Sequence, residues 1–180
     1  MLRQLEFRIE RLGLDERDLS VLKPLWEANL GYHRTILKKT LGKRGFFRLD
    51  SDLDWAEYFS WLTVGSMADN IVCYLALVRS RPAGYGVGQL ITPPQFFGGR
   101  VGYINELFVQ EEYRNKGVGG ALLQSLGKWF QYKGARRIEA QYYLGNQAAE
   151  SFWAKKGYTP LAQRIVADLE EDGDGRNGES

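Results

Sequence analysis

The chain is poor in the residues that build covalent and metal-centred sites. Its 180 residues include one cysteine, Cys73, and one histidine, His33, so the sequence offers no internal disulfide and no site that needs paired histidines. It has no run of about 18 apolar residues and therefore no candidate membrane-spanning helix. The first residues alternate charged and apolar side chains without an apolar signal core. We therefore expect a cytoplasmic protein with no metal and no membrane partner.

Acidic and basic side chains are spread unevenly along the chain. The formal net charge is +2, but residues 168–180 hold six acids and one arginine, so the remaining 167 residues carry +7. Residues 170–180 contain no apolar side chain and are expected to form a disordered acidic tail. Six cations and no acid lie between Arg34 and Arg48. This stretch is either a solvated basic face or a contact for an acidic partner such as cofactor phosphates. It has no recognisable nucleic-acid-binding motif, so a nucleic-acid partner is not expected.

Apolar spacing predicts one domain over residues 1–169, with helices around a mixed sheet of the α/β (α+β) class. Pro24 falls inside the first predicted helix and should either kink it or delay its start. Residues 31–53 are largely polar and basic and give no clear pattern. The predicted strands are Leu5–Glu10, Ile71–Val78, Ala83–Ile91, Val101–Val109, Ile138–Tyr143 and Gln163–Leu169. The predicted helices begin at Asp15 or Asp18, at Asp54, at Gly117 and at Asn146.

Two patterns within these elements predict how they pack. Alternate positions of one strand are glycine, so one face of that strand is almost bare and should admit close approach of another element. The glycines are Gly84, Gly86 and Gly88. In the helix that begins at Asp54, three aromatic residues recur at helical spacing. They are Trp55, Tyr58 and Phe59, and such a stripe either packs in the core or floors a substrate pocket.

The strand that ends at Val109 runs through a polar turn into a glycine-rich helix start. Its glycines, Gly117, Gly119 and Gly120, leave backbone N–H groups uncovered by side chains. The first N–H groups of a helix have no internal partner and lie at the positive end of the helix dipole, which favours phosphate. Arg114 and Lys116 would add positive charge at the rim, so we expect a diphosphate to bind here.

Two widespread phosphate-binding loops do not match this segment. A Walker loop requires lysine followed by serine or threonine after its glycines, and this chain has neither there. A dinucleotide-binding fingerprint requires a third glycine at the position of Leu122. A glycine-rich helix start that only packs closely on the sheet remains the other interpretation of these residues.

Two longer segments resemble the motifs of the GNAT superfamily, the GCN5-related N-acetyltransferases. The first is Phe108–Leu123, FVQEEYRNKGVGGALL, in which Arg114, Gly117 and Gly119 stand at the fixed positions of the family motif. The second is Asn146–Tyr158, NQAAESFWAKKGY. Residues 31–66 match no motif and correspond to the variable substrate region of that family.

The resemblance implies a fold, an acyl donor and a set of contacts. The fold is a mixed, mostly antiparallel sheet flanked by helices and splayed open beside the strand that ends at Val109. Acetyl-coenzyme A, the donor, would lie in the opening, and no metal is implied. The implied activity is transfer of an acetyl group to a primary amine, and the alternative is a non-catalytic, regulatory acyl-coenzyme A-binding module. The implied cofactor-binding residues are Leu107, Phe108, Val109, Arg114, Asn115, Lys116, Gly117, Val118, Gly119, Gly120, Asn146 and Trp153.

Glu106 is the residue to which the resemblance assigns catalysis. In many family members a glutamate at this position is the base that takes the proton of the amine, and partial burial would raise its pKa toward the working pH. A strand-edge glutamate held in a salt bridge is the alternative. The usual general acid of the family is a tyrosine where this chain has Trp153, whose indole N–H cannot protonate a thiolate. The candidates to replace it are Tyr142, Tyr143, Tyr158 and solvent.

The sequence leaves the acceptor open. Asp50, Asp52 and Asp54 would either attract a cationic amine or cap the helix that follows and face solvent. Many family members are dimers, so a homodimer is compatible with the resemblance.

Overall fold

The computed structural model of the chain describes residues 5–41, 54–92 and 99–165. The predicted acidic tail at 170–180 and residues 42–53 of the predicted variable region lie outside the described residues. The elements, in chain order, are β1 (Phe7–Arg11), α1 (Glu16–Leu41), α2 (Asp54–Met67), β2 (Ile71–Val78), β3 (Arg81–Ile91), β4 (Val101–Val109), a 3-10 turn (Glu111–Tyr113), α3 (Val118–Tyr132), β5 (Arg137–Ala140) and α4 (Gln147–Lys155).

The five strands form one sheet in the order β1-β2-β3-β4-β5. Neighbouring strands are antiparallel except β4 and β5, which are parallel; this confirms the predicted mixed, mostly antiparallel sheet. Arg79 and Ser80, which join β2 to β3, both have positive φ, as the tightest hairpin turns require. β3 therefore begins at Arg81 rather than Ala83, and Pro82 is tolerated because it lies beside a register shift between Ala76 and Leu77.

Helix α1 begins earlier than its proline suggested. The side chain of Asp15 accepts hydrogen bonds from the N–H groups of Arg17 (2.9 Å) and Asp18 (3.0 Å), so Asp15 is the N-cap. The helix then continues through Pro24, and the predicted delay of its start is wrong. Pro24 is exposed, so the carbonyl that loses its N–H partner can bond to water instead.

The second half of α1 occupies residues that gave no clear pattern in the sequence. The helix extends to Leu41, and Ile36 and Leu37 are buried within this half. Thr40 Oγ1 donates a hydrogen bond of 2.9 Å to the carbonyl of Leu144, between β5 and α4. Part of the predicted variable region is therefore a fixed helix that lies against the β5–α4 loop.

The C-terminal elements are shorter than predicted. β5 ends at Ala140 rather than Tyr143, because it pairs with β4 only as far as Ile104. Residues 163–165 of the predicted last strand are irregular and exposed, with no strand beside them in the described parts of the chain. Residues 166–169 of that prediction lie outside the described residues.

Apolar side chains pack on both faces of the sheet. Helices α1 and α2 cover one face, where Leu22 and Leu62 are fully buried against Tyr85 and Val87 of β3. The aromatic stripe of α2 packs against this cluster and against Trp26, whose ring centroid lies 5.4 Å from that of Trp55. The stripe is thus part of the core. Helices α3 and α4 cover the other face.

Two of the alternate glycines of β3, Gly86 and Gly88, lie beneath α3, which is the close approach of another element that the bare strand face predicted. A Cβ added at Gly88 would come within 2.6 Å of Phe130 Cζ, and one added at Gly86 within 3.1 Å of Leu126 Cδ1. Gly102 of β4 extends the same bare surface, since a Cβ there would lie 2.4 Å from Phe130 Cγ. Side chains of α3 therefore rest directly on the backbone of the sheet, which fixes the distance of the helix from β4.

Candidate active site

The sheet opens between β4 and β5 at Asn105. Parallel pairing ends where Ile104 lies opposite Ala140. On its other edge β4 shifts register against β3, with Gly88 opposite Ile104 and Val87 opposite Glu106, so Asn105 is an extra residue. A β-bulge of this kind bends its strand and is common beside active sites. The opening is therefore built into the register of the sheet.

Beyond the bulge, one edge of β4 has no strand beside it in the described parts of the chain. The N–H of Gln110 donates to the carbonyl of Ala83 in β3 at 2.9 Å. Because successive residues of a strand direct their N–H and C=O groups to opposite edges, Leu107 and Val109 direct theirs into the opening. An extended, amide-bearing arm would find hydrogen-bonding partners there, as an added strand does.

The chain turns from this strand into α3 through two left-handed residues. Asn115 has a φ of 57° and Gly117 a φ of 88°, and α3 begins at the next residue, Val118. No acidic side chain lies in the first turn of α3, and Gly117 offers none to cap it. The first N–H groups of α3 are therefore left for an external acceptor, which makes this helix start suitable for a phosphate.

A lysine that the sequence analysis did not select lies over the same helix start. A Cβ on Gly120 would stand 3.0 Å from Lys156 Nζ, so the missing side chain at Gly120 gives room to the amine. A Cβ on Gly119 would lie 3.4 Å from Phe152 Cε2. A cation at the positive end of a helix is unfavourable on its own. A bound anion would relieve that repulsion and be held by both groups.

The two basic residues predicted at the rim have other partners. Lys116 Nζ donates to the carbonyl of Glu112 at 2.7 Å. Arg114 Nε donates to the carbonyl of Val109 at 2.9 Å, and its guanidinium carbon lies 4.5 Å from the centre of the Tyr32 ring. Arg114 thus covers the last carbonyl of the open edge of β4.

Glu106 lies next to the bulge, on the side of the sheet that α1 and α2 cover. Its Oε2 accepts hydrogen bonds from the hydroxyl of Tyr85 and from Asn29 Nδ2, the latter at 3.3 Å. Asn29 Nδ2 also lies 3.1 Å from the Tyr85 hydroxyl oxygen. The buried hydroxyl of Tyr58 is near the same carboxylate but makes no geometrically adequate hydrogen bond with any described residue. Among residues 5–41, 54–92 and 99–165, no lysine or arginine forms a salt bridge with Glu106.

Burial raises the pKa of Glu106 above its usual value, and the hydrogen bonds from Tyr85 and Asn29, together with the nearby Tyr58 hydroxyl, oppose part of that rise. Desolvation favours the neutral acid, whereas donors favour the carboxylate. Burial and the nearby Glu106 carboxylate also raise the pKa values of Tyr58 and Tyr85 well above the usual tyrosine value, so both hydroxyls keep their protons. Glu106 remains partly exposed, and a carboxyl of raised pKa is suited to take a proton near neutral pH.

Asn146 lies on the other side of the opening, at the start of α4. It is buried, and its Oδ1 accepts hydrogen bonds from the N–H of Ala149 (3.1 Å) and from the hydroxyl of Tyr32 (3.0 Å). Tyr32 follows Asn29 by three residues on α1, so both belong to one face of that helix. Helix α1 therefore contacts Glu106 through Asn29 and the N-cap of α4 through Tyr32.

Besides Asn146, three of the predicted contact residues have buried side chains, all of them apolar or aromatic. Val118 is fully buried, and the ring of Phe108 packs 6.2 Å from that of Tyr85, so both can offer only backbone atoms to a ligand. Trp153 is buried between the rings of Phe152 (5.1 Å) and Tyr158 (4.9 Å). It belongs to the core cluster that includes Ile104, behind the point where the sheet opens.

The three tyrosines proposed as substitutes for the general acid lie in different surroundings. Tyr142 and Tyr158 are half-buried against the α3–α4 core, and burial raises the pKa of Tyr158. Tyr143 meets the ring of His33 edge-on at 5.2 Å. Burial lowers the pKa of His33, so this histidine is neutral at neutral pH.

The described residues contain no group of three or more histidine, cysteine, aspartate or glutamate side chains placed to hold a metal ion. No helix in the described ranges is long and apolar enough to cross a bilayer.

A sheet opened along a strand edge, with a helix start suited to phosphate at its mouth, has the form required to receive an extended phosphorylated carrier beside a carboxylate. The chain belongs to the acetyltransferase (GNAT) family, whose profile matches residues 39–158, two thirds of its length.

Relatives by sequence carry the corresponding names. The chain is 34% identical over 62 residues to the uncharacterized N-acetyltransferase YobR of Bacillus subtilis, covering 34% of this chain and 25% of that protein. It is 27% identical over 105 residues to an uncharacterized N-acetyltransferase of Methanocaldococcus jannaschii, covering 58% and 45%. YhfO of Bacillus subtilis, an uncharacterized N-acetyltransferase, is 30% identical over 118 residues, covering 64% and 75%. The chain thus spans less than half the length of the first two.

Solved structures share the fold at low sequence identity. The aminoglycoside N-acetyltransferase AAC(6')-Iy in complex with coenzyme A superposes with a TM-score of 0.69 at 14% identity, covering 94% of this chain and 99% of that one. The BH1408 protein of Bacillus halodurans gives a TM-score of 0.71 at 18% identity, covering 90% and 99%.

Proposed function

We propose that this chain is an acetyl-coenzyme A-dependent N-acetyltransferase that acts on a primary amine of a small molecule or a protein. The observation that carries the proposal is the position of Glu106, directly after the bulge at which β4 leaves β5. A carboxylate of raised pKa stands there beside an opening suited to an acyl carrier. Relatives named as N-acetyltransferases support the same chemistry.

The residues of the opening fit the donor in three places. The N–H and C=O groups of Leu107 on the open edge would pair with an amide of the carrier arm, and Val109 would offer its N–H, since its carbonyl accepts from Arg114. The N–H groups from Asn115 to Gly120 would receive its pyrophosphate, assisted by Lys156. Asn146 would face the arm from the α4 side. The donor supplies an activated acetyl thioester, and the chain supplies the binding groups.

Three features of the chain would act on the reaction. Glu106 would remove the proton of the ammonium and release it to solvent. General-base catalysis of this kind raises the reaction rate about 10²–10⁴-fold. The N–H of Val109, on the free edge, would stabilise negative charge on the carbonyl oxygen. Holding the amine between α1, α2 and β4 beside the thioester would supply much of the remaining rate gain.

The acceptor would enter from the side of the sheet on which Glu106 lies. Amine recognition would therefore fall to α1 and α2. A cytoplasmic enzyme without nucleic-acid or membrane partners agrees with the charge pattern and hydropathy.

Two measurements test the proposal. Calorimetric titration with acetyl-coenzyme A should show saturable binding, and absence of binding at high micromolar donor would sink it. Thiol release should then be measured across a panel containing a polyamine, an aminoglycoside, a lysine peptide and an amino sugar phosphate. Turnover with any of these supports the enzyme. Donor binding without turnover across a broad amine panel supports the alternative, a non-catalytic regulatory module.

A further inference from the structure

We propose that Tyr32 is the catalytic acid of this chain, the group that returns a proton to the coenzyme A sulfur when the acetyl group leaves. The inference rests on the proposed function. An acid is needed elsewhere in the site because Trp153 occupies the usual position of the general acid, and a buried indole cannot supply that proton.

The position of Tyr32 is set by two contacts at the two sides of the opening. Its hydroxyl donates to Asn146 Oδ1 at 3.0 Å, on the α4 side. Its ring lies under the guanidinium of Arg114 at 4.5 Å, and Arg114 is bonded to the carbonyl of Val109 at the end of β4. Tyr32 is therefore the side chain of α1 that crosses the mouth of the opening between β4 and α4.

Tyr32 is also within reach of the place where the amine must react. Asn29, which bonds Glu106 Oε2, lies one helical turn before Tyr32, and side chains so spaced have Cβ atoms about 5–6 Å apart. An amine deprotonated by Glu106 attacks a carbonyl carbon next to the sulfur. Base and acid would then stand on the acceptor and leaving-group sides of one reacting centre.

The hydroxyl can leave its present partner at little cost. Asn146 Oδ1 keeps the N–H of Ala149 as a donor at 3.1 Å when the tyrosine turns away. The phenolate left after proton transfer would lie beside the Arg114 guanidinium and the positive end of α4, both of which favour negative charge.

The proton and electron balance of the step is complete without another reactant. The amine nitrogen forms a bond to the carbonyl carbon, and the carbon–sulfur bond breaks with its electron pair on sulfur. Sulfur takes the proton of the Tyr32 hydroxyl, and the phenolate regains one from water. The proton that Glu106 took from the ammonium and the excess proton on the new amide nitrogen pass to solvent, so the reaction releases one proton in total.

The competing tyrosines are less well placed. Tyr158 is packed on Trp153 in the core. The ring of Tyr143 packs edge-on against His33, the residue that follows Tyr32 on α1. Among the described residues, the titratable or charged groups that contact Tyr32 are Arg114, from the turn before α3, and His33 of α1.

The test compares Tyr32→Phe with Tyr143→Phe and Tyr158→Phe, because each change removes one hydroxyl and keeps the ring. Tyr32→Phe should keep its affinity for acetyl-coenzyme A by calorimetry and lose about 10²-fold in kcat. The two control variants should stay close to wild type. An unchanged kcat in Tyr32→Phe, or an equal loss in either control, overturns the proposal.

A second readout does not depend on turnover. The thiol of bound coenzyme A is titrated by the ultraviolet absorbance of its thiolate, which a donated hydrogen bond stabilises. Tyr32→Phe should move this titration to higher pH. If Tyr32 only positions Asn146, the variant will bind the donor more weakly and leave the titration unchanged, which also overturns the proposal. If the wild-type protein acetylates none of the amines, the proposed function is wrong. The thiolate titration would still test whether Tyr32 donates a hydrogen bond to the sulfur.

Discussion

Asn29 Nδ2 lies 3.3 Å from Glu106 Oε2, although the two residues are 77 positions apart. The contact joins the middle of α1 to the strand residue beside the bulge in β4. It shows that the carboxylate is held by the helix that covers it as well as by its own strand. The environment of the proposed base is therefore set by packing between distant segments.

Replacing Glu106 by glutamine should remove the proton acceptor and keep the shape of the side chain. We expect kcat to fall about 10²–10⁴-fold, the usual contribution of a general base. The affinity for acetyl-coenzyme A should stay unchanged, since the side chain of Glu106 lies on the face of β4 away from α3. Glu10→Gln, on exposed β1, is the matched control. Wild-type turnover in Glu106→Gln would dismiss Glu106 as the base.

Tyr85→Phe should change the pH dependence of the reaction. The hydroxyl of Tyr85 donates to Glu106, so its loss removes a group that favours the carboxylate and raises the pKa of Glu106 further. The acidic limb of the kcat/KM profile should move to higher pH, with about a tenfold loss of rate below it if one charge-assisted hydrogen bond is lost. Tyr74→Phe, whose ring packs on the opposite face, should leave the limb in place.

The pH dependence of stability provides an independent check on Glu106. Its folded-state pKa is raised, mainly by burial, so the protonated form is favoured in the folded protein. The corresponding stability is fully present below the usual glutamate pKa of about 4.3 and is lost as pH rises through the raised value. Glutamine does not ionise, so the Tm of Glu106→Gln should increase relative to the Tm of wild type as pH rises. Parallel Tm curves would contradict the raised pKa.

Gly102→Ala should destabilise the fold at the contact between β4 and α3. The added methyl group would overlap the Phe130 ring, 2.4 Å from Cγ, and overpacking of this kind costs about 1–3 kcal/mol. Gly31→Ala is the matched control, and it should have the opposite effect on stability. Its Cβ would meet nothing within 4 Å on α1, and alanine favours a helix over glycine by about 1 kcal/mol. Denaturant unfolding should therefore shift in opposite directions for the two variants.

Lys156→Ala should weaken donor binding without affecting the chemical step. A charged donor to a phosphate is worth about 1.5–3 kcal/mol, so the Kd for coenzyme A should rise about tenfold or more. The difference from wild type should shrink at high salt because the site is exposed. Lys128→Ala, nearly three turns further along α3, is the control. Equal Kd values for the two variants would remove Lys156 from the phosphate site.

Much of the fold was predictable because its signals are local. One short segment contains the strand β4, the glycine-rich turn and the start of α3. Three alternate glycines in the sequence of β3 indicate its bare face. Asp15 and Asn146 cap helices within three residues of themselves. The prediction for residues 163–165 was wrong because alternating polarity makes a strand only where another strand is present to pair with it.

The surroundings of the site were not predictable in the same way. Tyr85 bonds a carboxylate 21 positions away, and Tyr32 bonds an asparagine 114 positions away. No local pattern marks such partners, because their meeting depends on how α1 lies across the sheet. Lys156 was missed for a similar reason, since its proximity to Gly120 follows from the packing of α4 against α3. Tyr85 alone carried a signal, as one large polar side chain within a strand of glycines.

The bulge at Asn105 has a consequence for solubility. In the described part of the chain the bulge leaves one edge of β4 without a strand beside it, and unpaired strand edges are where folded proteins join into aggregates. Arg114 puts a positive charge across the end of that edge, in the way natural proteins protect exposed strands. Arg114 thus protects the end of the same strand edge along which the carrier arm is proposed to bind.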